Sequence, residues 1–252
     1  MLPDKKSETC TTAYKAFRAR VDAMGQGYQI KRFRCDNGRG EYDNKTFRSV
    51  LTTSGTTYEP CPPYSHHKNG VAERMIRTIT EKARAMMIDS QAPVQFWGEA
   101  VNTAVYLHQR SPNEGLTKRD DRDGYKAPYK TPYEMPHAFG KPAHDKAGNE
   151  ISYKAPMHHL RRFGCYVSKL IPEAQRQSKF GPRSKPCMTV GYTHDSMTLW
   201  MIWDPNFQVV RAQSEVIFDE EQNAYVSCTT HGIDIFGLPE NAEYIEELHT
   251  GD

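Results

Sequence analysis

Apolar positions recur at helical spacing near the start of the chain. Cys10, Ala13, Phe17, Val21 and Met24 fall at intervals of 3, 4, 4 and 3. That pattern predicts an amphipathic helix over about 5–24 with these residues on its inner face. Gly25 and Gly27 stop it. A short strand, Gln29–Cys35, follows, with Phe33 and Cys35 on one face and Arg32 and Arg34 on the other. Asn37-Gly38 turns the chain. A helix over 44–53 is predicted from Phe47, Val50 and Leu51, with Asp43 or Asn44 able to cap it. Thr56–Tyr58 reads as a second short strand.

A loop with three prolines, 60–65, precedes the clearest helix. There Ala72, Ile76, Ile79, Ala83 and Met86 share one stripe, while Glu73, Arg77, Glu81 and Arg84 lie on another. A further helix over about 94–110 is expected to bury Phe96, Trp97, Ala100, Val101, Ala104 and Leu107. Periodicity is lost over 111–157, which reads as an extended linker. It returns as short β-prone runs: Cys165–Ile171, Met188–Thr193, Leu199–Trp203 and Val209–Phe218. The predicted organisation is therefore an α/β portion over 1–110, a linker over 111–157, a small β domain over 158–220 and an acidic tail over 221–252.

Composition changes this picture little. The chain has 252 residues, with 37% hydrophobic and 25% charged positions. No run approaches the roughly 18 apolar residues of a membrane helix. Six cysteines without a Cys-x-x-Cys pair read as reduced thiols. Charge is more informative. No Lys or Arg follows Arg211, so the first 211 residues hold 33 basic against 21 acidic side chains, a net of +12. Residues 154–185 alone hold eight Lys and Arg against one acid, Glu173. Such a body suits a polyanionic partner, and equally a solvated surface.

Asp36 and Glu73 are the candidate chemistry, with 36 residues between them. One ends a strand before a glycine turn; the other opens a helix. Hard divalent cations take carboxylate oxygens, and two such ions can clamp the attacking and leaving oxygens of a phosphoryl transfer. Lys68, Arg74, Arg77 and Arg84 surround Glu73 in sequence and could hold phosphates. On spacing alone, turn chemistry at Asp36 and the helix dipole at Glu73 are the better account of the pair.

The wording around the two acids goes further. Cys35-Asp36-Asn37-Gly38 and Pro63-Tyr64-Ser65-His66-His67-Lys68-Asn69-Gly70-Val71-Ala72-Glu73-Arg74 resemble the integrase core of copia-type LTR retrotransposons. The likeness continues through Phe96-Trp97-Gly98-Glu99-Ala100, Thr131-Pro132-Tyr133-Glu134, Leu160-Arg161-Arg162-Phe163-Gly164-Cys165 and Trp203-Asp204-Pro205, covering about residues 5–220. The resemblance implies a partial ribonuclease H-like catalytic core. It implies an Asp-Asp-Glu triad holding Mg²⁺ or Mn²⁺, with Asp36 and Glu73 as its second and third acids. Asn69 and Gly70 match the turn before the Glu-bearing helix. Element DNA ends and target DNA are the implied partners, the nucleus the implied location and a homo-oligomer the implied form of the complete integrase.

The family's first Asp has no match. Asp4 and Asp22 are the only aspartates before Asp36, and neither fits a central strand. The expectation is an integrase fragment with impaired metal binding, an open strand edge at Gln29–Cys35, and no activity alone. The alternatives are a non-catalytic nucleic-acid-binding derivative of the element, or a non-functional relic. Arg161, Arg162 and Lys169 are the DNA-binding candidates in the β domain. His158, His159, Cys165 and Cys187 lack the spacing of a zinc finger, so buried thiols are expected.

Overall fold

The computed structural model describes residues 4, 6–23, 29–36, 42–62, 69–113, 131–134, 154–176, 178–194 and 196–224. They form two compact units, Met1–Arg77 with Glu134–Tyr153, and Thr78–Tyr133 with Lys154–Asp252. The sequence places its first boundary near 110; the structure divides instead within one helix.

The first unit contains α1 (Ser7–Ala23), β1 (Arg32–Cys35), α2 (Lys45–Thr53) and β2 (Thr57–Pro60). The strands pair in parallel, Arg32 opposite Thr57 and Cys35 opposite Pro60. Among the described residues β2 is the only strand beside β1. Asn44 caps α2, its side-chain oxygen accepting from the Phe47 amide at 2.8 Å. The core is aromatic, with Tyr14, Phe33, Tyr42 and Phe47 meeting at tilted or edge-on angles.

The helix α1 is where periodicity predicts it, but its inner face differs. Cys10, Thr11 and Tyr14 are buried, whereas Phe17 is 59% exposed. Tyr14 decides the rotation. Its ring enters the aromatic cluster and its hydroxyl lies 2.8 Å from Thr56 Oγ1, so burial leaves no polar atom unsatisfied.

The long helix α3 (Gly70–Ser90) spans the boundary between the units. Its buried positions are Ile79, Ala83, Met87 and Ser90. Ala72 and Ile76, expected inside, are exposed. In the second unit α4 (Trp97–Arg110) buries Ala100, Thr103, Ala104, Tyr106 and Arg110. Trp97, also expected inside, is half exposed.

The described residues of this unit also form a five-stranded antiparallel sheet: β3 (Cys165–Leu170), β4 (Ser184–Tyr192), β5 (Trp200–Asp204), β6 (Val209–Gln213) and β7 (Val216–Asn223), ordered β6-β5-β4-β3-β7. The run read as one strand, Val209–Phe218, is two. Ser214 and Glu215 break it, and β7 continues through residues assigned to the acidic tail. These two residues join strands at opposite edges of the sheet, so the sheet must curl round on itself.

Helices and sheet share a core of Ala83, Met87, Phe96, Ala100, Ala104, Phe163, Met188, Val190 and Trp203, among others. Two glycines set the approach. Gly164 has φ +72°, and a Cβ there would lie 2.3 Å from Ser90 Cβ. Gly191 sits in a bulge of β4 with φ +146°, where a Cβ would meet Thr103 Oγ1 at 2.7 Å. The Thr103 hydroxyl donates to the neighbouring Val190 carbonyl at 3.2 Å.

Within the expected linker, the described residues 131–134 form a turn packed on α4. Thr131 is buried, and the Tyr133 amide donates to the Gln109 carbonyl at 2.8 Å.

Gly164→Ala is expected to destabilise the second unit by about 3 kcal/mol, from left-handed backbone strain plus overpacking. Urea unfolding measures it. Ser90→Gly in the same chain removes the atom struck and recovers only the overpacking part.

Candidate functional site

Asp36 lies immediately after β1, and Glu73 in the first turn of α3; both are exposed. Both belong to the first compact unit. Arg74 and Arg77 are exposed on the same turns of α3, and Arg84 is exposed further along it. Asn69 and Gly70 stand at the helix start, where a Cβ on Gly70 would meet only the Arg74 guanidinium, at 3.6 Å. Lys68 lies outside the described residues, as do His66 and His67. The arginines of β1 face Glu59 of β2, Arg34 at 3.0 Å and Arg32 at 3.7 Å.

A two-metal site needs more ligands than this pair offers. Among the described residues no group of three or more His, Cys, Asp and Glu side chains is placed to hold a metal ion. Asp36 and Glu73 alone do not fit a pair of Mg²⁺ or Mn²⁺ ions.

The three basic candidates of the β domain have internal partners. Arg162 Nε lies 2.9 Å from Asp89 Oδ2, and its Nη1 donates to the Glu220 carbonyl at 3.1 Å. It thereby fastens the end of α3 to β7. Arg161 Nη1 donates to the Leu160 carbonyl at 2.7 Å, and its guanidinium lies over the Phe218 ring. Lys169 Nζ reaches the buried Asp204 carboxylate at 2.9 Å. Burial works to raise the Asp204 pKa, but Lys169 and the Asn206 groups outweigh it and hold it below the ordinary value. The other Asp204 oxygen accepts from the Asn206 amide at 3.1 Å and so shapes the β5–β6 turn.

Cys165 and Cys187 are fully buried in the sheet, as expected. Burial raises the Cys165 thiol, which lies 3.4 Å from Thr189 Oγ1.

The turn built on Asp204 displays something that sequence spacing does not single out. Phe207, at its tip, is 59% exposed. Lys185 Nζ lies 5.7 Å from the centre of its ring and Arg211 Cζ 5.4 Å. Strand pairing puts the β3–β4 loop at the same end, because Leu170 faces Ser184 while Met188 faces Trp203. That loop carries Lys179, Arg183 and Phe180, the last 96% exposed. This end of the sheet thus presents cations interleaved with bare aromatic rings. The legible signal was Phe207 itself, an aromatic residue in a turn that strand alternation leaves without an inner face.

The sequence of the sheet and of the residues before it is similar to that of retroelement Pol proteins. Residues 164–230 match the family model for the retroviral polymerase SH3-like domain. Across 86% of its length the chain is related to the retrovirus-related Pol polyprotein from transposon TNT 1-94 of Nicotiana tabacum, 34% identical over 218 residues. It is 25% identical over 193 residues to that from transposon RE2 of Arabidopsis thaliana. The chain is accordingly a relative of transposon Pol polyproteins, in their copia-type integrase region. It spans only 14% and 11% of the lengths of these two relatives. Among solved structures, the simian T-cell lymphotropic virus intasome in complex with PP2A regulatory subunit B56 gamma aligns over 82% of this chain and 62% of that one. The identity is 14% and the TM-score 0.36, too low to bear on architecture.

Lys169→Met leaves the Asp204 carboxylate buried without its counter-charge. A loss of about 3 kcal/mol in urea unfolding is expected. Because the Asp204 pKa is depressed on folding, its stabilisation in the wild type is complete above about pH 4 and lost as pH falls below that. The variant should therefore show a smaller loss of stability on acidification through this window.

Proposed function

We propose that the chain is part of a copia-type retrotransposon integrase, serving DNA integration by polynucleotidyl transfer in the complete protein. The observation that carries the reading is the sequence relationship to transposon Pol polyproteins across 86% of the chain. Asp36 and Glu73 stand within it at strand and helix ends, in keeping with the ribonuclease H-like core that the resemblance implies. Water and then a DNA 3′-hydroxyl are the nucleophiles of such a reaction, which depends on positioning and charge neutralisation. Among the described residues the two acids are not joined by a third metal-ligating side chain, and our reading is that catalysis belongs to the complete protein.

Its own contribution is nucleic-acid binding. The end of the sheet carrying Lys185, Arg211 and Phe207 suits a phosphate backbone. Neither cation has a carboxylate partner among the described residues, whereas Arg162 and Lys169 do. Among those residues no helix is long and apolar enough to cross a membrane. Element ends and target DNA are the proposed ligands, the nucleus the proposed site of action and a homo-oligomer the proposed assembly.

Binding of a labelled DNA duplex, followed by anisotropy, should weaken steeply as salt rises. Replacing both Lys185 and Arg211 with Ala is expected to lower the log–log salt slope by about 2, one for each phosphate no longer neutralised. Binding that ignores salt would overturn the reading. A strand-transfer assay of the chain with Mn²⁺ should give no product. Turnover that disappears in Asp36→Asn or Glu73→Gln would show instead that the chain is a complete enzyme.

A further inference from the structure

The last turns of α4 hold a buried array that nucleic-acid binding does not employ. The rings of Tyr106 and Tyr192 are stacked, centroids 4.5 Å apart and planes inclined by 14°. The Arg110 guanidinium carbon lies 3.5 Å from the Tyr106 ring centre and 4.9 Å from that of Tyr133. Two planar groups so close cannot share one face of Tyr106, so the layers run Tyr192, Tyr106, Arg110. His159 stands edge-on to both stacked tyrosines, at 88° and 82°. Its Nε2 is 2.6 Å from the Tyr106 hydroxyl. Its carbonyl accepts the Trp200 indole N–H at 2.9 Å. One side chain thus ties the segment before β3 to a helix, while its backbone ties that segment to β5.

Among the described residues this array holds no carboxylate of its own, though Glu220 of β7 pairs with Arg161 at 3.7 Å. Arg110 is 6% exposed, and its Nη1 donates to the Tyr106 carbonyl at 3.2 Å. Among the described residues its Nε has no hydrogen-bond partner, and neither does Nδ1 of His159, a residue only 3% exposed. The groups around the imidazole are Tyr106 and Arg110 from α4, Tyr192 from β4, and His158 and Arg161 on its own segment. His194 lies beyond Tyr106, with ring centroids 6.1 Å apart. None of these is a carboxylate. Protonated, His159 carries an N–H at Nδ1 that meets no acceptor among the described residues, and a positive charge beside Arg110, His158 and Arg161.

We propose that His159 is an acid-sensitive catch, which holds the segment before β3 against α4 when neutral and releases it when protonated. Burial, with Arg110, His158 and Arg161 behind it, lowers its pKa from the ordinary imidazole value. The sign follows from that direction. Above about pH 6.5 the imidazole is neutral whether the catch is closed or open, and its stabilisation is complete. As pH falls below that, the open form takes up the proton first, and stabilisation is lost down to the pKa of the closed form.

The test is hydrogen exchange by mass spectrometry on the full chain at pH 7.5 and 5.5, corrected for intrinsic rates. Peptides over 156–164 and 104–110 are the readout. Protection should fall by up to about tenfold per pH unit below 6.5 until the closed-form pKa is reached. His159→Gln can still bond the Tyr106 hydroxyl but cannot take a charge, so the acid response of its 156–164 peptide should be largely lost. His108 is the control. It also has a lowered pKa, from burial and then Lys82, and His108→Gln should keep the wild-type response in peptide 156–164. A pH-independent wild type, or an undiminished acid response in His159→Gln, overturns the proposal. Should that variant not fold, an NMR titration of the wild type decides. A His159 imidazole titrating below 6.5 in step with the Trp200 indole signal supports the catch, and one titrating at or above 6.5 refutes it.

Discussion

The second unit depends on how closely a sheet can come to a helix pair. At Gly164 the backbone of the chain entering β3 runs against the side chain of Ser90, leaving no room for even one carbon. At Gly191 a bulge in β4 brings the strand against Thr103 in the same way. Small residues on the helices answer these glycines, since Ala83, Ala100 and Ala104 line the same core. Close backbone approach lets Phe96, Met188 and Trp203 fill the space that remains. Larger residues at either glycine would lift the sheet and open voids along the whole seam.

That seam explains where the positive charge goes. Arg162 is spent fastening Asp89 at the end of α3, and Lys169 neutralises an acid that the β5–β6 turn requires. Charges that hold the unit together are poor candidates for meeting phosphate. The turn that Asp204 and Lys169 shape carries Phe207 into solvent between two cations that lack such duties. Charges held in internal pairs and cations without a carboxylate partner among the described residues are thus adjacent, and one buried ion pair supports the exposed group.

Sequence patterns located nearly every element, because 3.6-residue and two-residue periods are properties of the chain itself. They were less able to choose faces. Periodicity put Phe17 inside α1, whereas a hydroxyl partner at Thr56 drew Tyr14 there instead. The break at Ser214 and Glu215 was hidden because two polar residues interrupt a strand pattern only slightly. The family was legible through the wording around the two acids rather than through their spacing. The employment of Arg161, Arg162 and Lys169 was not legible, because charge is written in the sequence and its partner is not.

The two-residue link between β6 and β7 has a consequence for how the chain is made. It delivers β7 to β3, some fifty residues earlier, where Tyr166 faces Asp219. Asn223 then bonds to the Asp89 carbonyl, across a separation of 134 residues. Neither closure can form until the final strand has left the ribosome. Until then β3 waits with one edge unpaired, and the end of α3 lacks its tie to β7. Contacts this distant in sequence form slowly, because the loop entropy is lost before any pairing is gained. Synthesis of the last dozen residues of the sheet, rather than of its first strand, therefore sets the moment at which the unit becomes a single cooperative body.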